Sequence, residues 1–284
     1  CGNLALATLV FQRIQDPPDA IAWSTLISIF IHNGKTMEAL DLFLKMWIEG
    51  IVPKTSSFIS GLDACADLMA IKVGREIHVS IVIETSFESD VSLLNTLISM
   101  YGKCSYVHEA TNIFNQSNKK DVISWNALIA CLVHNGSCNE AFGKFRQMEI
   151  TKLIPDKVTF LCILDACAKL CSLIEGQEIH MRVTCIGLER ETVVGTALIN
   201  MYGKCAQLQD AKLVFTEVQH RDVVCWNALI AVLSQNRDDD EALRLFYEMH
   251  AEGIIGDHVS FICALEACSN IDKGHDIHKA IIAT

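Results

Sequence analysis

Between residues 122 and 156 the apolar positions fall into two stripes separated by a polar break. Ile123, Trp125, Leu128, Ile129 and Leu132 recur at the spacing of one helix face, and Ala141, Phe142, Phe145 and Met148 make a second face. The break contains "HNG" at 134–136, whose glycine is a helix-stop signal, and Pro155 is expected to end the second helix. Neither helix can bury its stripe alone, so the pair needs neighbours of the same kind.

The rest of the chain supplies them. Trp23, Trp125 and Trp226 sit in "AWSTLI", "SWNALI" and "CWNALI", spaced 102 and 101 residues apart. Between them "GLDACADL" (61–68) matches "ILDACAKL" (163–170) and "ALEACSNI" (264–271), and "TLISMYGKC" (96–104) matches "ALINMYGKC" (197–205). The opening "CGNLALATLVF" matches the tail of that last kind of unit. The long period therefore holds three unit types, with expected boundaries at 20–54, 55–90, 91–121, 122–156, 157–191, 192–222 and 223–257, and incomplete units at 1–19 and 258–284. Stacked helix-turn-helix units of this length predict an all-α fold, an α-solenoid superhelix with one continuous core and a concave inner surface.

Composition narrows the function classes. At 51% hydrophobic and 20% charged, 284 residues can bury a large core and do not read as disordered. Apolar runs such as Leu26 to Ile31 stop well short of the roughly 18 residues that span a bilayer, so no membrane partner is expected. The net charge of −11 argues against holding nucleic acid by bulk phosphate attraction, but leaves base reading open. Thirteen cysteines, an odd number, fit a reducing compartment better than a disulfide framework. The chain opens on Cys1 with no charged-then-apolar leader, so it reads as an excised or partial chain in which no targeting segment can be observed.

Candidate chemistry is sparse. Cys162, Cys167 and Cys171 cluster, yet no C-x-x-C occurs, and Cys65, Cys167 and Cys268 share one repeat position, as do Cys1, Cys104 and Cys205. Small apolar packing residues would recur in that way. His78, His180 and His278 also recur, about a hundred residues apart, too far for one metal ion in a solenoid, and read as packing or hydrogen-bonding histidines. "HAE" at 250–252 lacks the P-C-x-x-C partner of a zinc deaminase and reads as a helix end. No phosphate-binding loop or nucleophile elbow is present, and "GHDIH" (274–278) has no acid–base constellation around it. No catalytic residue, metal or cofactor is expected.

The stretch "VISWNALIACLVHNGSCNEAFGKFRQMEITKLIPD" resembles a pentatricopeptide repeat, and the cycle of 35-, 36- or 35-, and 31-residue units resembles the plant organellar subgroup with P, L and S repeats. In those terms the units at 20–54, 122–156 and 223–257 are P-type, 55–90 and 157–191 L-type, and 91–121 and 192–222 S-type, with a partial S-type at 1–19 and a partial L-type at 258–284. The competing resemblance, the tetratricopeptide repeat, would imply a protein-interaction scaffold. Its pattern places glycine after W-x-x-L, where this chain has Ile27, Ile129 and Ile230.

The resemblance implies sequence-specific binding of single-stranded organellar RNA, in a mitochondrion or chloroplast, with a role in site recognition for C-to-U editing or other RNA processing, alongside editing-complex proteins. Deamination would lie in a domain beyond residue 284 or in a partner. In the family the fifth and last residues of each unit read a base. Here these are Ser24 and Lys54, Asn95 and Asp121, Asn126 and Asp156, Thr196 and Asp222, and Asn227 and Asp257. The L-type units offer Ile59 with Asp90 and Leu161 with Glu191, and an aliphatic fifth residue makes no hydrogen bond. Base wedging would fall to Ile21, Ile123, Val193 and Val224, with Ser92 poorly suited, and phosphate contact to Lys103, Lys169 and Lys204. An Asn amide can accept from the uracil N–H while donating to a neighbouring carbonyl, and a carboxylate beside it can fix its orientation. A hydroxyl with Asp suits the donor-rich edge of guanine, so the units from 91 to 257 are expected to read U, U, any base, G, U. Read locally, the same Asn, Thr and Asp are helix caps and turn formers, and the lysines a solvated face.

Overall fold

The computed structural model describes residues 2–13, 18–84 and 90–268. Cys1, His278, the "GHDIH" stretch and most of the 258–284 tail lie outside the described residues. Among the described residues every regular element is an α-helix. In chain order they are α1 (Gly2–Gln12), α2 (Ala20–His32), α3 (Thr36–Ile48), α4 (Thr55–Asp67), α5 (Ile71–Glu84), α6 (Val91–Lys103), α7 (Val107–Gln116) and α8 (Val122–His134). There follow α9 (Cys138–Ile150), α10 (Lys157–Leu170), α11 (Leu173–Cys185), α12 (Thr192–Lys204), α13 (Leu208–Glu217), α14 (Val223–Gln235), α15 (Asp239–Ala251) and α16 (His258–Glu266).

The helices divide between two compact units, residues 1–154 and 155–284. In the first, α2, α4, α6 and α8 pack each on the next, with α3, α5 and α7 each wedged between its own first helix and the following one. In the second, α10, α12, α14 and α16 form the equivalent row, backed by α11, α13 and α15. This arrangement of helix pairs is an all-α solenoid.

The recurring sequence landmarks are the joints of this stack. Phe11 meets Trp23, Phe114 meets Trp125 and Phe215 meets Trp226, each edge-on with ring centroids 4.8 Å apart, so the end of one pair is locked to the start of the next by the same aromatic contact. The glycine of "MYGKC" lets successive first helices approach. A Cβ at Gly102 would lie 2.8 Å from Cys131 Cβ, and one at Gly203 would lie 2.6 Å from Val232 Cγ1. Across that close approach the Asn135 amide donates to the Gly102 carbonyl (2.9 Å) and the Asn236 amide to the Gly203 carbonyl (3.3 Å). Cys65 and Cys167 are fully buried in the row of first helices, and burial pushes the Cys65 thiol up to about 12. His78 Nδ1 lies 3.0 Å from the Tyr101 hydroxyl and His180 Nδ1 lies 2.8 Å from that of Tyr202, which joins α5 to α6 and α11 to α12.

One expected boundary is different. α9 stops at Ile150, five residues before the Pro155 expected to end it. Thr151 caps it, Lys152 turns left-handed at φ 62°, and the chain is already out of helix when it reaches the proline.

Candidate functional site

The first helices of the pairs share one construction at their N-termini. An extended residue precedes each helix, and where it is aspartate its carboxylate accepts from backbone N–H groups that the first turn leaves free. Asp121 accepts from Ser124 N (2.8 Å) while its own N–H donates to the Ser124 hydroxyl, which closes a capping box. Asp156 with Thr159 and Asp257 with Ser260 repeat the box, and Asp222 accepts from Cys225 N (2.9 Å). Asp19 and Asp90 cap α2 and α4's successor α6 in the simpler way.

Asp121 and Asp257 each hold a second partner as well. The Asn95 amide, at the fifth residue of the unit that Asp121 ends, donates to Asp121 Oδ1 at 3.4 Å, and the Asn227 amide donates to Asp257 Oδ1 at 2.9 Å. Each carboxylate thus closes its own helix and holds an amide of the preceding one. Hydrogen bonding lowers both acids below the usual carboxylate range. For Asp257 the Ser260 N–H is the largest cause, working against burial; for Asp121 burial is the largest influence and opposes the shift, and the Ser124 and Asn95 bonds together outweigh it. Asn95 and Asn227 are inside their helices and are not caps. The local reading holds for the aspartates and fails for the asparagines.

The other expected base-reading residues are placed differently. Thr196 is half-buried and its hydroxyl donates to Thr192 O (2.7 Å), and Asp222 is the exposed cap of α14. Asn126 is 6% exposed on α8 in the first unit, and Asp156 caps α10 in the second. The Ser24 hydroxyl turns back to Ile21 O (3.0 Å), and Lys54 is an exposed residue that makes no side-chain cap on α4, so nothing couples these two. Glu191 pairs with Lys157 at 3.0 Å and does not cap α12. Lys54, Ser56, Ile59, Asp90 and Ser92 line one hollow of about 700 Å³, which gathers second, fifth and last residues of adjoining pairs at one place.

The second residue of most first helices is an exposed apolar side chain, with Ser56 on α4 and Ser92 on α6 as exceptions. Ile21, Ile123, Val193 and Val224 are 56 to 61% exposed. Val158 and Val259, at the same place on α10 and α16, are also exposed and were not among the expected wedges. Their place as the second residue of a helix that follows an aspartate is a signal the sequence carries. Of the three lysines, Lys103 pairs with Asp67 of α4 at 2.8 Å and Lys169 with Asp165 at 3.0 Å, while Lys204 donates to Gln235 Oε1 at 3.1 Å. All three end first helices, where the backbone dipole favours a cation whether or not a phosphate is near.

Comparison with known proteins gives this construction its family. The profile of the PPR repeat family matches residues 120–169 and 221–270, and that of the PPR repeat matches 21–51 and 92–122, together more than half of the chain. The chain belongs to the pentatricopeptide repeat family. A pentatricopeptide repeat-containing protein of Arabidopsis thaliana is 35% identical over 270 residues, 95% of this chain and 37% of the relative. A mitochondrial one from the same plant is 36% identical over 95% of this chain and 35% of its own length, and a chloroplastic one 34% identical over 95% and 33%. The chain spans less than half the length of these curated relatives. Among solved structures, the pentatricopeptide repeat protein PPR10 in complex with an 18-nt psaJ RNA element superposes with a TM-score of 0.81 at 18% identity, over 100% of this chain and 43% of that one. That likeness is one of fold. Among the described residues no helix of this pentatricopeptide repeat chain is long and apolar enough to cross a membrane.

Proposed function

We propose that this pentatricopeptide repeat chain binds single-stranded RNA, one base per helix pair, and that it is the address-reading part of an organellar RNA-processing factor of the P, L and S subgroup, acting in C-to-U editing. What supports the base reading is one juxtaposition. An exposed valine, Val224, stands at the second residue of α14, and three residues on is the Asn227 amide, held by Asp257, the carboxylate that begins α16. Exposed β-branched side chains cost solvation in water, and a stacked base covers them. Within that reading Asn95 with Asp121 and Asn227 with Asp257 select U, and Thr196 with Asp222 selects G. Relatives named mitochondrial and chloroplastic, and a solenoid of the same fold solved with RNA, support an organellar RNA partner. Deamination is assigned to a partner or to residues outside these 284.

Selection from a random RNA pool tests the assignment. The parent protein is expected to enrich G followed by U for the pairs α12/α13 and α14/α15. Thr196→Asn replaces the hydroxyl with an amide and leaves Asp222 and both helices in place, so G moves to a pyrimidine at that one nucleotide, the wrong base costing on the order of 1–3 kcal/mol. Identical selections before and after the substitution refute the residue-to-base assignment.

A further inference from the structure

Asn227 is held from two sides. Its Nδ2 donates to Asp257 Oδ1 at 2.9 Å, and its Oδ1 accepts from the Ser260 hydroxyl at 2.6 Å. Ser260 is fully buried, at the third residue of the following unit, and lies within hydrogen-bond reach of Asp257 Oδ1 as well, at 3.0 Å. A hydroxyl has one proton to give, and the shorter of its two bonds goes to the amide. With Ser260 below its oxygen and Asp257 beside its nitrogen, the amide keeps one lone pair and one N–H, in a fixed left-to-right order, for anything that meets its outer edge.

That order matters for pyrimidines. Uracil offers a ring N–H beside a carbonyl, and cytosine a ring nitrogen acceptor beside an amino group, so an amide satisfies one in one orientation and the other when flipped by 180°. The Asn95 pair makes the contrast within the same chain. Its Oδ1 is buried without a partner, because the Ser124 hydroxyl, at the equivalent third residue, donates to Asp121 Oδ1 at 2.9 Å instead. The third residue is Cys at 225, where Thr196 is its hydrogen-bond partner.

We propose that Ser260 is a positioning residue for base selection: its hydroxyl, added to the Asp257 carboxylate that already orients the Asn227 amide, tightens that orientation and sharpens the preference of the α14/α15 pair for uracil over cytosine. The inference rests on the RNA-binding reading above.

The test uses the RNA selected by the parent protein, synthesised with U, C, A or G at the nucleotide assigned to α14/α15, and measures all four affinities. Ser260→Ala removes the hydroxyl; Ser260→Cys keeps a side chain that the chain already carries at this place but donates weakly. Both are expected to lower the U-to-C affinity ratio at that nucleotide roughly two- to tenfold, the worth of one net hydrogen bond, while preference for pyrimidine over purine survives. Ser260→Thr keeps the hydroxyl and restores the ratio. Ser124→Ala breaks the equivalent capping box and lowers stability, yet leaves the U-to-C ratio at the α6/α7 nucleotide unchanged. An unchanged ratio in both Ser260→Ala and Ser260→Cys, or an equal fall in Ser124→Ala at its own nucleotide, overturns the inference and leaves RNA binding standing. A parent protein with no pyrimidine preference at that nucleotide overturns both.

Discussion

Gly203→Ala puts a single methyl group between two first helices and tests whether their close approach is an obligate feature of the stack. Two effects compete. Alanine in place of a helical glycine gains about 0.8–1 kcal/mol from backbone entropy. Against this, the new Cβ would lie 2.6 Å from Val232 Cγ1, closer still to Cγ2 and 3.0 Å from Val232 Cβ. Valine in a helix has one strongly preferred rotamer, so the methyls cannot swing aside, and the cost belongs at the upper end of the roughly 1–3 kcal/mol of an overpacked core. Any separation of the helices also stretches the 3.3 Å bond from Asn236 to the Gly203 carbonyl. The net expectation is a loss of about 2 kcal/mol. Urea unfolding followed by circular dichroism measures it. Val232→Ala alone leaves a void and costs about 1.6 kcal/mol in lost transfer energy, at ~0.8 per methylene, but in the double variant the new methyl fills the space. The cycle should therefore show a coupling of about 1 kcal/mol or more in favour of the double variant. A Gly203→Ala protein as stable as the parent, or strictly additive losses, would mean that the interface opens without penalty and that glycine is not there for the approach.

Asp67→Asn should strengthen RNA binding, because it releases Lys103 from its 2.8 Å ion pair and removes a negative charge beside the proposed phosphate path. Parent binding is expected to show a shallow salt slope, about two to four phosphates neutralised, and the variant a slope steeper by about 0.7, one further phosphate on a single strand; an unchanged slope rules out Lys103 as a phosphate contact. The pairing of half-buried His78 and His180 with the buried Tyr101 and Tyr202 predicts a pH effect of definite sign. Burial lowers both histidines below the ordinary 6.5, so the unfolded chain binds protons first, and the stability present above that value is lost as pH falls from about 6.5 towards the folded values. The melting temperature should drop between pH 7 and 5, and drop less in a protein carrying both His78→Gln and His180→Gln; an identical pH profile contradicts the assignment.

Much of the fold was legible because each joint is made by residues that cannot be exchanged without loss. Trp23, Trp125 and Trp226 recur because each meets a phenylalanine of the preceding pair, and the glycine of "MYGKC" recurs because the next helix occupies its Cβ position. Such constraints leave a periodic trace. Contacts made by long or rotatable side chains leave much less. Nothing in the sequence sets Lys103 against Asp67 rather than solvent, since both stand at the end of first helices and the pairing needs the distance between neighbouring pairs. The hydroxyl of Ser260 is equally silent: Ser124 shares its position and its capping box but gives its proton to the carboxylate. Pro155 misled for a different reason, since Lys152 had already turned the chain out of the helix.

The double use of the aspartates has a consequence for how a base code on this scaffold can change. Asp257 closes α16 through Ser260 N at 2.9 Å and holds the Asn227 amide at the same distance, so replacing it disturbs both the helix start and the proposed reading edge. Loss of such a cap costs about 1 kcal/mol on its own, and a solenoid passes that loss to the neighbouring pair. The fifth residue carries no such burden: Asn227 sits within α14, and Thr196, at the same place on α12, satisfies its hydroxyl on its own helix. Substitutions at the fifth residue therefore alter what an incoming base meets while the N-terminal frame stays intact. On this scaffold new specificities are reached more cheaply through the fifth residue than through the last, and the stability of an Asp257→Ala protein should fall before its base preference can be read.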